Sequence, residues 1–545
     1  MKFVLVLLAA MSSSAMTQAQ SSSQPSAPAA APQQPTSAPA SQTAVDLLKA
    51  LDQVVDQNRR LTEQNQQLME KVEELRQRLA AANPTSPATK AEKAAVTTET
   101  EKAAAKAEGE KAAAQLSAAV AQEIVSDEGT ASKKDVAIEE SQHPGPKLWS
   151  PYTPNFGYKV ANTPYGDLNI SIYAYARYLN QRLVDPTYTN YFGTTSTLQQ
   201  RQDFQLNKVQ FKFLGWIMDP RFRYFLYAWT SNSSQGLGAQ TVLAGNLNYS
   251  FAKWLTIGGG VYGLPGVRSL EGNFPFWYSV DARIMAEEFF RPAYSQGIIA
   301  RGDLFGKKLS YQVMDANNLS ALGVSAAQLP NTFSTVASAL VWLPQSDFGA
   351  GYGDFEEHEH VVTRLAGHFT RSRATKESQP NTDQFENTQI RLEDGTIVFT
   401  PNIFGPGIAV NTLKYQMMNF DAGIKYRGWD LSGTYYQRWL SQFTGTGIGP
   451  DGLPEIVSRG FYVGASKMLI PRSLMLFALG SSIYGKYGNP YDMRLGLNYY
   501  PFKNRVIRWN NEVLYLDKSA TGNNTLPYIV GNTGPIFDTT LELAF

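Results

Sequence analysis

The sequence predicts an all-β chain: a transmembrane antiparallel β-barrel of about sixteen strands, preceded by an N-terminal α-helical coiled coil and a low-complexity linker. Three observations predict it. Apolar and polar residues alternate in many segments after Trp149, the connections between these segments are alternately short and long, and no apolar run after residue 20 could form a membrane-spanning helix. The composition agrees, with 28 Tyr, 28 Phe, 43 Gly and no Cys, so no disulfide can form.

The first 43 residues are predicted to be a targeting segment and a linker. Residues 1–20 have the features of a signal peptide: Lys2, the apolar run Phe3 to Met11, and small residues around Thr17 to Ala19. Residues 21–43 are rich in Ser, Pro, Ala and Gln and are expected to be disordered. The mature chain is therefore expected to be exported.

Residues 44–82 are predicted to form a coiled coil of about five heptads. Two series of heptad positions, offset by four residues, carry this prediction: Leu47, Val54, Leu61, Leu68 and Leu75 at d, and Leu51, Asn58, Asn65, Val72 and Leu79 at a, where the two Asn fix the register. A dimeric and a trimeric coil both remain open, as does a single amphipathic helix packed on another surface. Asn83-Pro84 ends the helix, and residues 83–147 form an Ala-, Glu- and Lys-rich spacer.

Residues 148–545 are predicted to form the barrel, and its clearest hairpin runs from Tyr415 to Gln442. In its first arm the predicted outward side chains are Met418, Phe420, Ala422, Ile424 and Tyr426. The polar residues between them face the other side, because successive strand residues point to opposite faces. Gly428-Trp429-Asp430 is the predicted turn. One connection, Pro344 to His360, is too long for the short-turn end and fits the alternation poorly.

Several short motifs resemble the phosphate-selective porin (porin O and P) family over roughly Gly145 to Phe545. They are Asn207 to Phe211 with Asp219-Pro220-Arg221, Phe348 to Tyr352, Pro527-Tyr528 with Gly531 and Gly534, and the closing strand Asp538 to Phe545. The resemblance implies a sixteen-stranded trimeric outer-membrane channel with a basic, anion-passing lumen. The arginine ladder and constriction lysines of that family have no residue-by-residue match here.

Basic residues on inward strand positions are the candidate anion-binding groups, since Arg and Lys can replace the hydration that an anion loses in a narrow pore. By alternation these are Arg177, Lys208, Lys212, Arg364, Lys425, Arg427, Arg438, Arg494 and Arg508. Asp421 and Glu512 share the inward faces, so a general, non-selective porin remains an alternative.

The third long connection, Gly263 to Ala293, resembles in position the loop that narrows the lumen of many porins. Its candidate constriction residues are Arg268, Arg283 and Arg291. It also carries Asp281, Glu287 and Glu288, so its net sign is open, and a polar external loop is an equal alternative.

No motif for an enzyme, a cofactor or nucleic-acid binding stands out. His358 and His360 could share one face of an extended segment, but no third ligand lies at a diagnostic spacing, so a charged turn is favoured over a metal site.

The sequence therefore predicts an outer-membrane porin that passes small anions, with phosphate as a candidate solute. Outer-membrane lipid and two further copies of the chain are the expected partners, and the N-terminal segment is expected in the periplasm. The rival hypothesis is an envelope-organising tether, in which the barrel is an anchor and the coiled coil reaches toward peptidoglycan.

Overall fold

The described part of the chain forms a closed antiparallel barrel of 16 strands, as predicted. The computed structural model describes residues 152–153, 157–231, 240–272, 274–320, 324, 326–329, 332–349, 351–380, 388–523 and 525–545. The predicted signal peptide, linker, coiled coil and spacer lie outside these residues. Within them, no helix is long and apolar enough to cross a membrane.

The strands of the described residues are, in chain order, β1 (Tyr152–Thr153), β2 (Gly157–Thr163), β3 (Gly166–Asn180), β4 (Thr187–Thr189), β5 (Thr195–Thr197), β6 (Gln202–Ile217), β7 (Asp219–Ser231), β8 (Gln240–Ala252), β9 (Leu255–Gly263), β10 (Tyr294–Leu304), β11 (Leu309–Ala316), β12 (Thr335–Trp342), β13 (Val362–Thr375), β14 (Ala409–Tyr426), β15 (Trp429–Thr446), β16 (Ile456–Ile470), β17 (Leu474–Tyr484), β18 (Tyr491–Tyr499), β19 (Ile507–Asp517) and β20 (Gly534–Ala544). The α-helix of the described residues is α1 (Met285–Phe290), and short 3-10 turns occur at Arg268–Leu270 and Ala326–Gln328.

The wall consists of β3 and β6 to β20, each paired antiparallel with its neighbour, and it closes where β20 pairs with β3. Phe545, at the end of β20, exchanges backbone hydrogen bonds with Ile172 of β3, at 2.6 and 2.9 Å. Below that point β2 takes over the same edge of β3, with Tyr158 opposite Ile170. The N-terminal strand β2 and the C-terminal strand β20 thus pair with successive parts of the same edge of β3. Strand β1 pairs with β2.

The period-two pattern sorts side chains as predicted. Phe420 on β14 is 58% exposed on the outside, whereas the next residue, Asp421, is 4% exposed and faces the lumen. Other exposed outward residues include Phe211, Leu247, Leu340, Leu365, Val463, Leu495 and Leu541. Such an apolar outer belt is the surface that a barrel presents to lipid.

The turn of the β14–β15 hairpin lies one residue earlier than predicted, and this corrects one site residue. Arg427 and Gly428 have φ values of 46° and 79°, so both adopt the left-handed conformation that a two-residue type I′ turn requires. Trp429 already belongs to β15. Arg427 is therefore exposed in the turn, stacked on the Tyr426 ring at 5.2 Å, and does not face the lumen.

Two connections break the alternation of short and long turns. At the short-turn end, the link between β12 and β13 spans residues 343–361. At the long-loop end, the link between β17 and β18 spans only residues 485–490. The first exception is the connection that the sequence pattern did not accommodate, and it becomes part of the lumen.

Candidate solute pathway in the lumen

Eight of the nine strand residues chosen as lumen candidates lie on the inward face of the barrel, where they are buried. They are Arg177, Lys208, Lys212, Arg364, Lys425, Arg438, Arg494 and Arg508. Arg427 is the exception described above. In an open pore such side chains would contact water, so their burial shows that other parts of the chain cover them.

The connection between β9 and β10 covers much of the lumen face. This constriction segment, residues 264–293, enters from the long-loop end, and its apolar side chains Val267, Phe274, Met285 and Phe290 are buried. Helix α1 packs against β15 to β18, and the Phe290 ring stacks on Tyr436 at a centroid distance of 5.3 Å. Burial of this apolar surface favours the inward position of the segment. Of the two alternatives that the sequence left open, the inward fold is the observed one.

A second segment enters from the opposite end. This counter-segment, residues 343–361, reaches the constriction segment, where the Tyr352 N–H donates to the Phe276 carbonyl at 2.8 Å. Gly351 makes this approach possible: its φ is 77°, and a Cβ there would lie 2.3 Å from the Phe276 oxygen. The two segments therefore meet inside the barrel, and a solute path must run between them or displace one.

Arg268 is the predicted constriction residue at this meeting point. Its Nη2 donates to the Gly351 carbonyl at 3.0 Å, and its guanidinium lies 4.0 Å from the centre of the Tyr352 ring. A cation over an aromatic face is attracted to the ring quadrupole. Arg268 thus links the constriction segment to the counter-segment.

The other two constriction candidates share one carboxylate. Arg291 contacts Glu288 through Nε and Nη2, at 2.8 and 2.6 Å. Arg283 Nη1 lies 3.5 Å from the same carboxylate, and its guanidinium stacks on Trp277 at 4.3 Å. Glu288 therefore neutralises part of the positive charge of the segment.

Five of the inward strand cations form ion pairs with buried carboxylates. On the wall, Arg177 pairs with Asp538 at 3.0 Å, Arg494 with Asp492 at 3.3 Å and Arg508 with Glu542 at 2.6 Å. Lys208 pairs with Asp281 of the constriction segment at 2.9 Å. Arg364 pairs with Asp421 at 2.8 Å and Glu271 at 2.7 Å. The pairs of Arg177 and Arg508 join neighbouring strands of the wall, and the pair of Arg494 lies within β18. Asp281 and Glu271 attach the constriction segment to the wall.

Lys425 and Arg438 differ, because neither forms an ion pair among the described residues. The Lys425 ammonium donates to the Gly351 carbonyl at 3.4 Å and lies 4.6 Å from the centre of the Phe348 ring. Arg438 Nη2 donates to the Arg391 carbonyl at 2.7 Å and to Ser458 Oγ at 3.0 Å, while its Nε has no hydrogen-bond partner. They are 0% and 1% exposed. The nearest carboxylates do not contact them directly: Asp430 lies opposite Lys425 in register, and Ser458 Oγ bridges Arg438 to Glu393. The charge of each cation is therefore less directly compensated than that of a cation in an ion pair.

A cluster that sequence reasoning missed holds the constriction segment against the wall. Glu271 Oε1 lies 2.5 Å from His368 Nε2, and His368 Nδ1 lies 3.6 Å from Asp421 Oδ2. Arg364 bridges both carboxylates. Arg364 and His368 are four residues apart on β13 and so share its inward face. That spacing was visible in the sequence, but the partner Glu271, some ninety residues away, was not.

The two histidines considered as metal ligands do not converge on one point. His358 Nδ1 lies 2.5 Å from Asp354 Oδ1, and its Nε2 lies 2.6 Å from the Asp347 carbonyl. His360 is 62% exposed at the surface, with Nε2 3.0 Å from Asp347 Oδ2. Asp354 Oδ2 also accepts from the Gly428 N–H at 2.7 Å. His358 and Asp354 therefore fasten the counter-segment to the β14–β15 turn.

The protonation states of His358 and Asp354 follow from the geometry of their contact. Both ring nitrogens of His358 face atoms that can only accept, so both must carry a proton. Burial works against the charged ring, but the Asp354 carboxylate prevails and raises the pKa of His358 above its ordinary value. Burial likewise works against the charged carboxylate, but hydrogen bonds from His358 and the Gly428 N–H lower the pKa of Asp354.

A narrow polar crevice, about the size of one water molecule, lies between the constriction segment and the wall. Its lining includes Tyr175, Lys208 and Trp229 of the wall and Asp281 and Arg283 of the segment. Wall and segment thus both contribute charged groups to this crevice.

No family model and no curated protein matches the chain. Among solved structures, an anion-selective porin from Comamonas acidovorans is 9% identical with a TM-score of 0.44, covering 70% of this chain and 99% of that one. OmpT of Vibrio cholerae has 7% identity and the same TM-score, covering 71% and 99%. The channel DcaP of Acinetobacter baumannii has 7% identity and a TM-score of 0.42, covering 70% and 99%. At such identities and scores these comparisons assign neither a family nor a solute, so the function is argued from the residues of this chain.

Proposed function

We propose that the protein is an outer-membrane porin through which small anions, with phosphate as the leading candidate, diffuse passively. The observation that carries this proposal is the pair Lys425 and Arg438, two buried lumen cations without an ion pair in the described chain. A permeating anion can form the direct ion pair that each lacks. Lys425 lies near the short-turn end, where it is opposite Asp430 of β15 in register. Arg438 comes eight residues after Asp430 on β15, which is roughly 27 Å farther along the barrel wall at about 3.4 Å per residue.

In this proposal, different cations of the lumen serve selectivity and structure. Five of the eight inward strand cations are paired with the carboxylates named above, Lys212 also has an interaction partner, and these six contribute mainly to the shape of the lumen. Two cations are left to attract anions at different depths, so an ion can leave one before it reaches the other. Sites weak enough to release the ion are a requirement for conduction.

The test is ion selectivity in planar bilayers. The reversal potential of the purified protein in a potassium chloride gradient should indicate anion preference, and added phosphate should reduce the chloride current. The double variant Lys425→Gln, Arg438→Gln should lose most of that preference. Lys467→Gln with Arg459→Gln is the matched control, because it removes a lysine and an arginine from the outward positions of β16.

Cation selectivity of the unaltered protein would refute the anion proposal. An unchanged reversal potential in the double variant would assign the preference to other residues. Equal potassium and chloride currents through the unaltered protein would favour the general, non-selective porin.

We further propose that the protein is a homotrimer whose N-terminal residues lie in the periplasm, where the coiled coil of residues 44–82 supports assembly. Deleting residues 44–82 should lower the temperature at which trimers separate on a gel while leaving single-channel conductance unchanged. Normal trimers with a blebbing cell envelope would favour the tether that reaches toward peptidoglycan.

A further inference from the structure

A cluster of three cations lies on the outward face of the barrel near the long-loop end. This outer cationic cluster consists of Arg371 and Arg373 on β13 and Lys414 on β14. Both arginines are exposed, and the lysine is half-buried. All three belong to the outward set of their strands, in phase with Phe369 and Phe420. The cluster therefore cannot contribute to the lumen.

The register brings these cations together. Arg373 is directly opposite Lys414, and Arg371 is opposite Gln416, two residues along the same face. Directly opposed side chains in an antiparallel pair have Cβ atoms roughly 5 Å apart, and diagonal neighbours are roughly 7 to 8 Å apart. Like charges directly opposite each other destabilise a sheet. The sheet by itself therefore gives no reason for this arrangement.

The surroundings do not neutralise the cluster. None of the three residues forms an ion pair within the described chain, and their outward neighbours in register are Val336, Gln416, Trp439 and Ser441. The nearest carboxylate in register on the same face is Asp315 on β11, two strands away from Arg371. Glu377 follows β13 in the exposed loop. Neither carboxylate pairs with the cluster, so no counter-charge for it is present among the described residues.

The position of the cluster indicates where that counter-charge lies. Toward the short-turn end, the next outward residues are apolar: Phe369 and Leu365 on β13, and Met418 and Phe420 on β14. The cluster therefore lies at the upper border of the apolar belt, beside the aromatic ring of Trp439. Lipid headgroups occupy this level, and aromatic side chains are enriched there.

Elsewhere on the same border the outward residues have different chemistry. On β19, β20 and β3 they are Tyr515, Phe537 and Tyr178, with the Tyr178 and Phe537 rings 6.4 Å apart. That stretch is suited to lipid contact without a charged headgroup. The cationic stretch on β13 and β14 thus differs from this aromatic stretch, and Arg459 on β16 is a further outward cation toward the long-loop end.

We propose that the outer cationic cluster binds the phosphate of a phosphorylated membrane lipid in the leaflet at the long-loop end. Two guanidinium groups and one ammonium can donate hydrogen bonds to the phosphate oxygens, and arginine matches phosphate geometry with two parallel donors. The acyl chains of such a lipid lie along Phe369, Met418 and Phe420. The site faces lipid, so it is independent of the anion preference of the lumen.

The test uses the purified full-length protein and phosphatidic acid, a lipid with a terminal phosphate monoester, in phosphatidylcholine nanodiscs. Native mass spectrometry counts the phosphatidic acid molecules that stay bound. In the variant Arg371→Gln, Arg373→Gln, Lys414→Gln, the amount of bound phosphatidic acid should fall at least about tenfold. A loss of this size is expected when a few basic residues are removed from an anionic lipid surface. The control variant Lys467→Gln, Arg472→Gln, Lys503→Gln removes three cations near the short-turn end and should bind as before.

Further measurements distinguish the alternatives. Heat-dependent gel mobility establishes that both variants are folded barrels, and the reversal potential of the cluster variant should equal that of the unaltered protein. Inorganic phosphate should compete poorly with the lipid, because it lacks the acyl contacts. Unchanged lipid retention in the cluster variant, an equal loss in the control, or effective competition by free phosphate would each overturn the proposal. Loss of oligomers with unchanged lipid retention would show instead that this face contacts another copy of the chain.

Discussion

The two segments that meet in the lumen are attached in different ways. The constriction segment presents large apolar side chains to the barrel interior, including Phe274, Trp277 and Phe290, and is tied to the wall by Glu271. The counter-segment is rich in glycine and buries a smaller aromatic set, Phe348 and Tyr352, while polar contacts of Asp354 and His358 join it to the β14–β15 turn. Apolar burial does not depend on pH, whereas the polar contacts do. We infer that the counter-segment is the half of the closure that moves more readily.

The largest expected effect comes from removing the counter-segment. Replacing residues 346–359 with a short Gly/Ser turn should raise single-channel conductance about twofold or more, because conduction follows the narrowest part of the path. Replacing the exposed residues 449–452 between β15 and β16 is the control and should leave conductance unchanged. An unaltered conductance in the first variant would mean that the constriction segment alone limits the pore.

The next largest effect concerns the attachment of the constriction segment. Arg364→Met leaves Glu271 and Asp421 buried with a weaker counter-charge, and removing one partner of a buried pair costs about 3 to 5 kcal/mol. The temperature at which the barrel unfolds on gels should fall markedly, and current noise should increase as the segment loosens. Arg459→Met, an exposed outward residue of β16, should change stability by less than about 0.5 kcal/mol. Equal stability of the two variants would contradict the proposed attachment.

A smaller effect is expected from pH, through His358. Its pKa is raised in the folded protein, so its stabilising contribution is complete below the ordinary histidine pKa and is lost as pH rises through the folded value. The lowered pKa of Asp354 has the opposite sense: its contribution is complete above the ordinary carboxyl pKa and is lost as pH falls through the lowered value.

The counter-segment should therefore be held best at mildly acidic pH, and conductance should rise as the solution becomes alkaline. At mildly acidic pH, the conductance of His358→Asn should already equal the conductance that the unaltered protein reaches at alkaline pH. The conductance of the variant should not change as the pH is raised further. His360→Asn is the control, because His360 is exposed and does not contact Asp354. A rise that persists in His358→Asn would assign the pH response to another group.

The smallest expected effect is on the contact between the two segments. Tyr352→Phe removes a hydroxyl that donates to Glu287 at 3.3 Å but keeps the ring beneath Arg268. A single hydrogen bond contributes roughly 0.5 to 1.5 kcal/mol, so unfolding should occur at a slightly lower temperature with unchanged ion selectivity. A change in selectivity would show that the hydroxyl contacts the permeating ion.

Sequence reasoning predicted the inward face of the strands well but the turns less well. Arg177, Lys208 and Arg438 were placed correctly, because each lies within a long alternating stretch. Arg427 was placed wrongly, because alternation stops where φ becomes positive and a pattern of period two does not show that point. The connection at residues 343–361 could be recognised as exceptional in length, but nothing local indicated that it turns into the lumen.

By itself, the sequence determined the closed barrel, the strands, the apolar belt and the inward set of cations, because side-chain alternation is a property of each strand alone. Only the tertiary structure decided which of these cations form ion pairs with carboxylates of the chain and which could contact a permeating anion. Arg364 is neutralised by Glu271, far away in the chain, whereas Lys425 faces the Gly351 carbonyl and the Phe348 ring. These partners come from connections whose inward positions depend on packing against the whole lumen. Charge pairing in the pore is therefore a consequence of closure and cannot be deduced from the period of any one strand.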